Sequence, residues 1–434
     1  MQIVIPEKTI RRERIMGKAY TGKLKVVSDD MLIVAVDIGM EMNRGYCTTT
    51  DGRSSKTFKF DNTRQGMDML WDMIMISKNR FKCSQVIVGY ESTGPYGEPM
   101  LHYLAKMPVK VVQVNPMHTK KVKELNDNSP LKTDDKDPRV IADIIRWGHA
   151  LSIVIPEGDA AYLRRLNNSR ERHVRERTAL VNQLQQLVFL LFPEFKKVMK
   201  DIKCRTPLYL LKKYPTPEAI SVLDKRLLGE EMRKRSRGKF KEQHADMLIS
   251  LAKNTIGIRE GVLGLSMDIQ HILIQLEMLK NLISEIESEM GIALGRIHYS
   301  SKLLSIKGLG VVSVAGIIGE IGDFNKFKTR SEIMKLAGLD LYEISSGKMK
   351  GQRRISKRGR SLLRKILYYT AIQTIRKNGI MYDYYTRLTG RGMKKMMALV
   401  AVSRKLLGII YAIVRDDSEY SINFKKKQVI KKAA

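Results

Sequence analysis

Cysteine and histidine are scarce in this chain. Three cysteines and seven histidines occur among 434 residues, and Cys47, Cys83 and Cys204 lie far apart. No pair has the short spacing of a redox motif or of a zinc site. The sequence therefore argues against structural zinc, and it indicates a reduced, intracellular setting.

Acidic residues and long apolar runs are also in short supply. The chain has 45 Asp and Glu against 78 Lys and Arg, a formal net charge of +33. No apolar run approaches the length of a membrane span, and residues 1–18 lack the hydrophobic core of a signal peptide. An excess of positive charge this large is typical of proteins that bind polyanions. We therefore predict a cytoplasmic protein whose partner is nucleic acid, not a membrane.

The motifs of several enzyme classes are missing as well. The sequence contains no P-loop, Rossmann glycine fingerprint, HExxH or GxSxG motif. Tyrosine and phenylalanine are sparse in the basic regions, so a platform for stacking bases is not predicted.

Acidic residues follow two apolar segments in the first third of the chain. Residues 32–36 form an apolar run that ends at Asp37, and residues 85–90 form another that ends at Glu91. Both are typical of strands buried on two faces. Segments 44–50, 56–60 and 109–114 are predicted to be further strands, with helices between the later ones. Ligand sites in such sheets collect at the carboxyl ends of the strands.

Residues 132–138 concentrate acids within a basic protein. Asp134 and Asp137 are three residues apart and share one face if the segment is helical. Asp137 followed by Pro138 is typical of a helix start. Carboxylates that point the same way favour a divalent cation such as Mg²⁺. The alternative is a solvated, acidic helix start. With Asp37 and Glu91, the set matches two-metal phosphodiester chemistry, in which the cations lie about 3.5–4 Å apart.

The middle of the chain, residues 151–300, is predicted to be mostly helical. Its last part carries apolar residues at alternating steps of three and four, as in a heptad repeat: Ile269, Ile272, Leu276, Leu279, Ile283, Ile286 and Met290. This seam predicts either self-association through a coiled coil or a long helix packed within the molecule.

The last third combines a glycine turn with a basic, serine-containing segment. Residues 306–310 (IKGLG) resemble a helix-hairpin-helix turn, although glycine turns between helices are common. Ser345 and Ser346 precede a basic run, and no acid occurs between Glu343 and Asp383. This segment is predicted to bind phosphate rather than to form a solvated loop. A serine among arginines can attack phosphorus, but most serines in basic loops only contact phosphate.

The order of these motifs resembles the DEDD transposases of insertion sequences, a family that includes the pilin-gene inverting recombinases. The resemblance spans residues 30–415. Its matching blocks are Val36-Asp37-Ile38-Gly39, Glu91 to Tyr96, Val114-Asn115-Pro116, Lys132-Thr133-Asp134 with Asp137, the 306–310 turn, Glu320 to Asp323, Ala337-Gly338-Leu339, Ser346-Gly347 and Ile355 to Gly359.

The resemblance implies a multidomain protein of the α/β plus α class. A basic arm (1–30) precedes an RNase H-like, RuvC-like DEDD domain (31–155). A helical, coiled-coil region with a basic insertion (156–300) follows. A mostly α-helical transposase domain with helix-hairpin-helix character (301–434) completes the chain.

The resemblance also implies a mechanism. Asp37, Glu91, Asp134 and Asp137 would bind Mg²⁺, and Ser346 would attack DNA to form a covalent phosphoserine. The two domains would build one composite site across the subunits of a homo-oligomer, a dimer or a tetramer. A structured guide RNA would read target and donor DNA. The residues expected to contact nucleic acid are Lys132, Arg353, Arg354, Lys357, Arg358 and Arg364.

Two departures and two alternatives stay open. Pro138 replaces the family's usual alanine, and proline is tolerated at a first helical position. Ser345 adjoins Ser346, so the nucleophile is one of the two.

The first alternative function is a metal-dependent, structure-specific DNA nuclease without a covalent intermediate. The second is a nucleic-acid-binding protein with a decayed site.

Overall fold

The chain divides into two units, Met1–Val154 and Ile155–Ala434, in a computed structural model of the protein. The structure describes residues 27–91, 94–127, 137–343, 351 and 353–420.

A mixed sheet of six strands forms the first unit. Its strands are β1 (Met31–Asp37), β2 (Met42–Thr48), β3 (Phe58–Asp61), β4 (Gln85–Glu91), β5 (Lys110–Val114) and β6 (Leu151–Ser152). They lie in the order β3-β2-β1-β4-β5-β6. Strands β1, β4 and β5 are parallel, and the other pairings are antiparallel. The predicted α/β class of this part of the chain is confirmed.

Strand β1 lies at the centre of this sheet. Every residue from Met31 to Val36 is buried, because the sheet is covered on both faces. Four helices belong to the unit: α1 (Arg64–Arg80), α2 (Glu98–Leu104), α3 (Pro116–Asp127) and α4 (Asp137–Arg146). Helix α1 begins where the Thr63 hydroxyl accepts the Gly66 N–H at 3.1 Å, which is an ordinary N-cap.

Helices dominate the second unit. They are α5 (Gly158–Leu191), α6 (Phe195–Val198), α7 (Arg205–Lys213), α8 (Pro217–Ser221), α9 (Lys225–Ser236), α10 (Glu242–Lys253), α11 (Val262–Gly295), α12 (Ser300–Leu304), α13 (Val311–Ile321), α14 (Arg330–Leu336), α15 (Ser361–Thr374), α16 (Tyr382–Gly390) and α17 (Lys395–Arg415). A short hairpin of β7 (Leu341–Glu343) and β8 (Arg353–Ile355) interrupts them.

The two longest helices, α5 and α11, pack side by side in opposite directions. Asp159 at the start of α5 pairs with Arg296, just after the end of α11, at 2.6 Å. At the other end, Val188 and Leu191 share a core with Ile269. Helices α7, α9 and α10 complete that core, which accounts for the fold of the basic stretch between them.

The heptad seam of α11 is used inside the chain. Ile269, Ile272, Leu276, Leu279, Ile283 and Met290 are buried, and Ile286 is partly buried. The seam therefore packs within the molecule, which confirms one of its two predicted uses. Self-association through α11 stays a prediction.

Two helices of this unit, α11 and α17, are long and apolar enough to span a membrane by length and composition. The sequence has no uninterrupted apolar run of that length, so the hydropathy of these helices is an average over mixed residues. Each packs against another helix of the unit, α11 against α5 and α17 against α15.

A glycine turn joins α12 to α13, as predicted for residues 306–310. Gly308 has a φ of +105°, and a Cβ there would lie 2.9 Å from the Thr374 methyl of α15. Close packing against α15 is thus sufficient reason for this glycine.

Candidate catalytic site

Asp37 and Glu91 end two adjacent parallel strands. The register pairs Val36 of β1 with Tyr90 of β4, so the two acids occupy the next position on each strand. Neighbouring strands lie about 4.8 Å apart, and paired residues of parallel strands point to the same face. Both side chains are half-buried. The structure therefore brings these two predicted site residues together at the carboxyl edge of the sheet.

The face that carries these acids is the one covered by α4. Alternation places Asp37 with Ile33 and Ala35, which share a core with Val140 and Ile144 of α4. This packing follows from the sequence, because the apolar residues of α4 recur at helical spacing along one side.

Two contacts fix the direction of α4. The Arg139 guanidinium lies 5.7 Å from the Tyr46 ring centre, and Tyr46 pairs with Ala35 of β1. The Arg146 Nη2 donates to the Thr48 hydroxyl at 3.0 Å, and Thr48 pairs with Ile33, which is nearer the start of β1 than Ala35. Helix α4 thus runs antiparallel to β1. Its first residue, Asp137, is directed toward the end of the sheet where Asp37 lies.

Pro138 does not disturb this helix start. Helix α4 begins at Asp137, and Pro138 is buried in its first turn. Pro138 is the second residue of the helix and not the first as predicted, and proline is accommodated there because the first turn of a helix has no intrahelical acceptor for that N–H. That the site survives this substitution stays a prediction.

A lysine accompanies Asp137. The Lys123 Nζ of α3 lies 2.6 Å from the Asp137 Oδ1, and the two side chains are 33% and 25% exposed. Sequence reasoning missed this contact, because it depends on how the two helices pack and not on a fixed spacing.

Helix α3 itself begins at the Asn-Pro pair of the family motif. The Asn115 Oδ1 accepts the Met117 N–H at 2.9 Å, and Pro116 is the first helical residue. This motif therefore acts as a helix cap.

The turn after Asp37 is held by two asparagines. The Asn43 Oδ1 accepts the Gly39 N–H at 3.2 Å, and Asn43 donates to the Asn62 Oδ1 at 2.7 Å. Asn62 donates in turn to the Gly39 carbonyl at 3.0 Å. Asn43 is only 1% exposed, so this network is shielded from water and fixes the backbone that follows Asp37. No motif in the sequence indicated it.

The donor set of the site consists of carboxylate oxygens. Such oxygens suit Mg²⁺, which prefers hard ligands. Within the described residues, no group of three or more His, Cys, Asp or Glu side chains is positioned to hold a metal ion. Asp134 and Lys132 lie outside these residues. The structure therefore does not gather Asp137 with Asp37 and Glu91 into one metal-holding group. The oxygens of these acids suit Mg²⁺ by their chemistry alone, and their role as ligands stays a prediction.

Ser345 and Ser346 also lie outside the described residues, in the connection between β7 and β8. The strands that flank them are defined. Leu341 pairs with Ile355, and Glu343 pairs with Arg353. The Arg353 Nε and the Glu343 Oε2 form an ion pair at 3.0 Å. Arg353 is nevertheless 73% exposed.

Two family motifs meet at the base of this hairpin. The Lys357 N–H donates to the Gly338 carbonyl at 3.0 Å, and the Ser356 N–H donates to the Asp340 carbonyl at 2.8 Å. A Cβ on Gly359 would lie 2.5 Å from both the Gly338 nitrogen and the Leu336 oxygen. Only glycine fits this approach, so the two motifs form one rigid support.

The basic residues near the hairpin fall into two groups. Arg354, Lys357 and Arg358 are exposed, as nucleic-acid contacts require. Arg364 instead donates to the Ala337 carbonyl at 3.0 Å, and burial lowers its pKa. Its observed contact supports the backbone of the hairpin base.

Comparisons with known proteins agree with this arrangement. A family model described as a transposase, of the DEDD type found in IS110, matches residues 34–193. A second, described as the transposase IS116/IS110/IS902 family, matches residues 300–386.

Individual relatives come from bacterial mobile elements and from a gene-inversion system. The chain is 22% identical over 392 residues to the IS110 uncharacterized 43.6 kDa protein of Streptomyces coelicolor, covering 90% of this chain and 95% of the relative. It is 26% identical over 293 residues to the IS116 uncharacterized 44.8 kDa protein of Streptomyces clavuligerus, with 66% and 71% coverage. A pilin gene-inverting protein of Moraxella bovis is 28% identical over 125 residues, with 28% and 39% coverage.

These matches identify a transposase, an enzyme that acts on DNA. The chain belongs to the IS116/IS110/IS902 family of transposases, as its motifs predicted.

Proposed function

We propose that this protein is an RNA-guided DNA recombinase of an insertion sequence, which cuts and rejoins DNA through a covalent phosphoserine. The observation that carries the proposal is the pairing of Asp37 with Glu91 at the carboxyl edge of the sheet, on the face that α4 covers.

The first unit is proposed to be RNase H-like. Its first three strands are antiparallel neighbours, and β1, β4 and β5 continue the sheet in parallel. This topology puts the ends of β1 and β4 side by side, which is what a shared carboxylate site requires.

Asp37, Glu91, Asp134 and Asp137 are the residues that would hold Mg²⁺. When bound, the cation would stabilise the negative charge that develops on the phosphoryl oxygens. Asp37 and Glu91 end strands of the sheet and Asp137 begins α4, so the packing of these elements would limit how far the three carboxylates can move. The asparagine network keeps the backbone after Asp37 from shifting.

Ser346 is the proposed nucleophile. Its Oγ attacks phosphorus and forms a phosphoserine ester, while the bond from phosphorus to one deoxyribose oxygen breaks. The serine proton ends on that oxygen, which leaves as a hydroxyl. Attack by the hydroxyl of a second strand reverses these steps, rejoins DNA and regenerates serine, so no external energy source is required. Arg353, Arg354, Lys357 and Arg358 are proposed to hold the phosphate backbone nearby.

A guide RNA and a homo-oligomer complete the proposal. The surplus of 33 positive charges supports binding to more than one polyanion. To test guidance, RNA that co-purifies with the protein is sequenced, and DNA matching its loops is offered for cleavage. We expect cleavage of matching DNA and none of a scrambled duplex. Equal cleavage of both would reject guidance.

The adduct separates the main proposal from a metal-dependent nuclease. A nuclease that uses water leaves no covalent intermediate, whereas Ser346 attack leaves protein on labelled DNA in a denaturing gel. Ser346→Ala is expected to abolish the adduct and retain DNA binding. If Ser345→Ala abolishes it instead, the nucleophile is Ser345.

A further inference from the structure

A cationic cavity of about 510 Å³ lies in the second unit. It is bounded by the start of α14, by α16 and by one face of α17. Three of its lining side chains are Arg330, Arg404 and Lys405. Its volume is in the range of sites that hold small ligands or parts of larger ones.

The positive charge of this cavity is poorly balanced. Asp340 is the one acidic residue among its described lining residues. Within the part of the chain that the structure describes, no carboxylate forms an ion pair with Arg330, Arg404 or Lys405. Arg330 instead donates to the Arg404 carbonyl at 3.4 Å. Cations that converge without acids favour an anionic ligand.

Arg404 and Lys405 both lie in surroundings that disfavour an unpaired positive charge. The Arg404 Nε is buried and has no hydrogen-bond partner among the residues that the structure describes. The Lys405 ammonium lies 4.2 Å from the Tyr384 ring centre, and Arg387 approaches the same ring at 5.5 Å. Burial and the nearby Arg387 and Arg330 lower the pKa of Lys405. A bound anion would relieve this repulsion and supply acceptor oxygens.

The cavity is also preorganised. Arg330 packs flat on the backbone of α17 at Gly408, where a Cβ would lie 2.3 Å from its Nε. Gly408, Arg404 and Lys405 recur at helical spacing, so they share one face of α17. A fixed guanidinium is suited to two oxygens of one phosphate group.

We propose that this cavity binds backbone phosphates of a nucleic acid. The proposal rests on the family's action on nucleic acid, and it requires no catalytic step. DNA and RNA share the phosphodiester group that this cavity would bind. The experiment below therefore tests the protein with each nucleic acid separately.

Lysine footprinting tests this site directly. Full-length Ser346→Ala protein without Mg²⁺ is treated with an acetylating reagent, alone or with a 40-base-pair DNA duplex or a single-stranded RNA. Lys405 acetylation is expected to fall at least about fivefold with the nucleic acid that binds there. Lys253 of α10, which is exposed, is the internal control. Protection in one arm identifies the source, and protection in both supports a general phosphate site. Unchanged Lys405 labelling in both arms overturns the proposal.

Matched variants give a second measurement. With the nucleic acid that protects Lys405, Lys405→Gln and Arg404→Gln are each expected to reduce the salt dependence of binding by about 0.9 in log–log slope per phosphate lost. Lys253→Gln makes the same change of charge and should leave the slope unchanged. Gly408→Ala should weaken binding with no change of charge, since it displaces Arg330. Equal slopes for Lys405→Gln and Lys253→Gln count against the site.

These results are independent of the proposed chemistry. A protein that forms no adduct but protects Lys405 refutes the serine mechanism and retains the phosphate site. A protein that forms the adduct but leaves Lys405 unprotected supports the serine mechanism and refutes the phosphate site.

Discussion

The ion pair between Asp137 and Lys123 occupies one of the carboxylates that we propose to hold Mg²⁺. The ammonium group is 2.6 Å from Asp137, so a divalent ion must displace it to bind that oxygen. A partly exposed pair of this kind contributes at most about 1 kcal/mol. The lysine is therefore a weak competitor for the carboxylate.

Removal of Lys123 should make Mg²⁺ bind more tightly. For Lys123→Met we expect the Mg²⁺ concentration that half-saturates strand cleavage to fall by up to about fivefold, which corresponds to about 1 kcal/mol. Lys121→Met, on the exposed side of α3, is the control and should not change it. If Lys123→Met abolishes cleavage even at saturating Mg²⁺, the lysine contacts the phosphate and this account of it is wrong.

The paired acids at the strand ends should be indispensable for cleavage. Asp37→Asn and Glu91→Gln keep the shape of each side chain and remove its charge. We expect each to lower the rate of strand cleavage at least about 100-fold while DNA binding persists, because charge stabilisation at phosphorus is lost. Asp72→Asn makes the same substitution on the exposed side of α1 and is the control, which should leave the cleavage rate unchanged. Similar rates for Asp72→Asn and Asp37→Asn would remove Asp37 from the site.

At the scale of elements, the base of the β7–β8 hairpin depends on one glycine. Gly359→Ala puts a methyl group 2.5 Å from backbone atoms of Leu336 and Gly338, which cannot move without shifting α14. We expect it to destabilise the protein by about 1–3 kcal/mol, measured by thermal or denaturant unfolding.

Gly264→Ala is the matched control for that change. Gly264 lies in α11 with no atom within 4 Å of an added Cβ, so alanine should be neutral or stabilise by up to about 1 kcal/mol. Equal stability of Gly359→Ala and the unmodified protein would show that the motif does not support the hairpin.

Helix α13 carries a buried acid whose titration should be visible in stability. Burial raises the pKa of Glu320 despite Arg360 and Arg164 nearby. A carboxyl with a raised pKa favours the folded state while it is protonated, and this contribution is lost as pH rises through the raised value.

Glu320→Gln should therefore unfold at a higher temperature than the unmodified protein at pH 7.5, and the difference should vanish near pH 4. Thermal scans across this range measure it, and Glu285→Gln on the exposed side of α11 should show no such trend. A variant that is less stable at pH 7.5 would mean that the two arginines outweigh the effect of burial.

The strands and helices show how far the sequence determines this fold. Apolar runs predicted β1, β4 and β5 closely, because strands buried on both faces leave an uninterrupted pattern. Strand β6 was missed, since two residues carry no periodicity. The seam of α11 was visible, but its partner α5 was not, because α5 is rich in arginine and exposes much of its surface.

The candidate site was predictable only in part. Acids at strand ends follow from sequence, and their convergence follows from parallel pairing. The Lys123 contact, the Asn43–Asn62 network and the cavity around Arg330 depend on tertiary packing between segments that are distant in sequence. No local pattern encodes such contacts.

On the scale of the whole molecule, charge governs what the protein binds. Many of its acids already pair with neighbouring cations, as Glu171 pairs with Arg175 and Lys365, and Glu287 with Arg170. The 33 surplus positive charges therefore remain for external anions. Binding strength then comes from many phosphate contacts, whereas the proposed reaction depends on a few acids and one hydroxyl.

Identification of the amino acid joined to DNA tests the central claim most directly. The protein is incubated with a labelled DNA substrate and Mg²⁺, denatured, digested, and the DNA-linked peptide is sequenced by mass spectrometry. The account predicts phosphodiester linkage at Ser346, absent from Ser346→Ala and from Asp37→Asn. Cleaved DNA with no linked peptide, or linkage at a residue outside the Ser345-Ser346 pair, would contradict it.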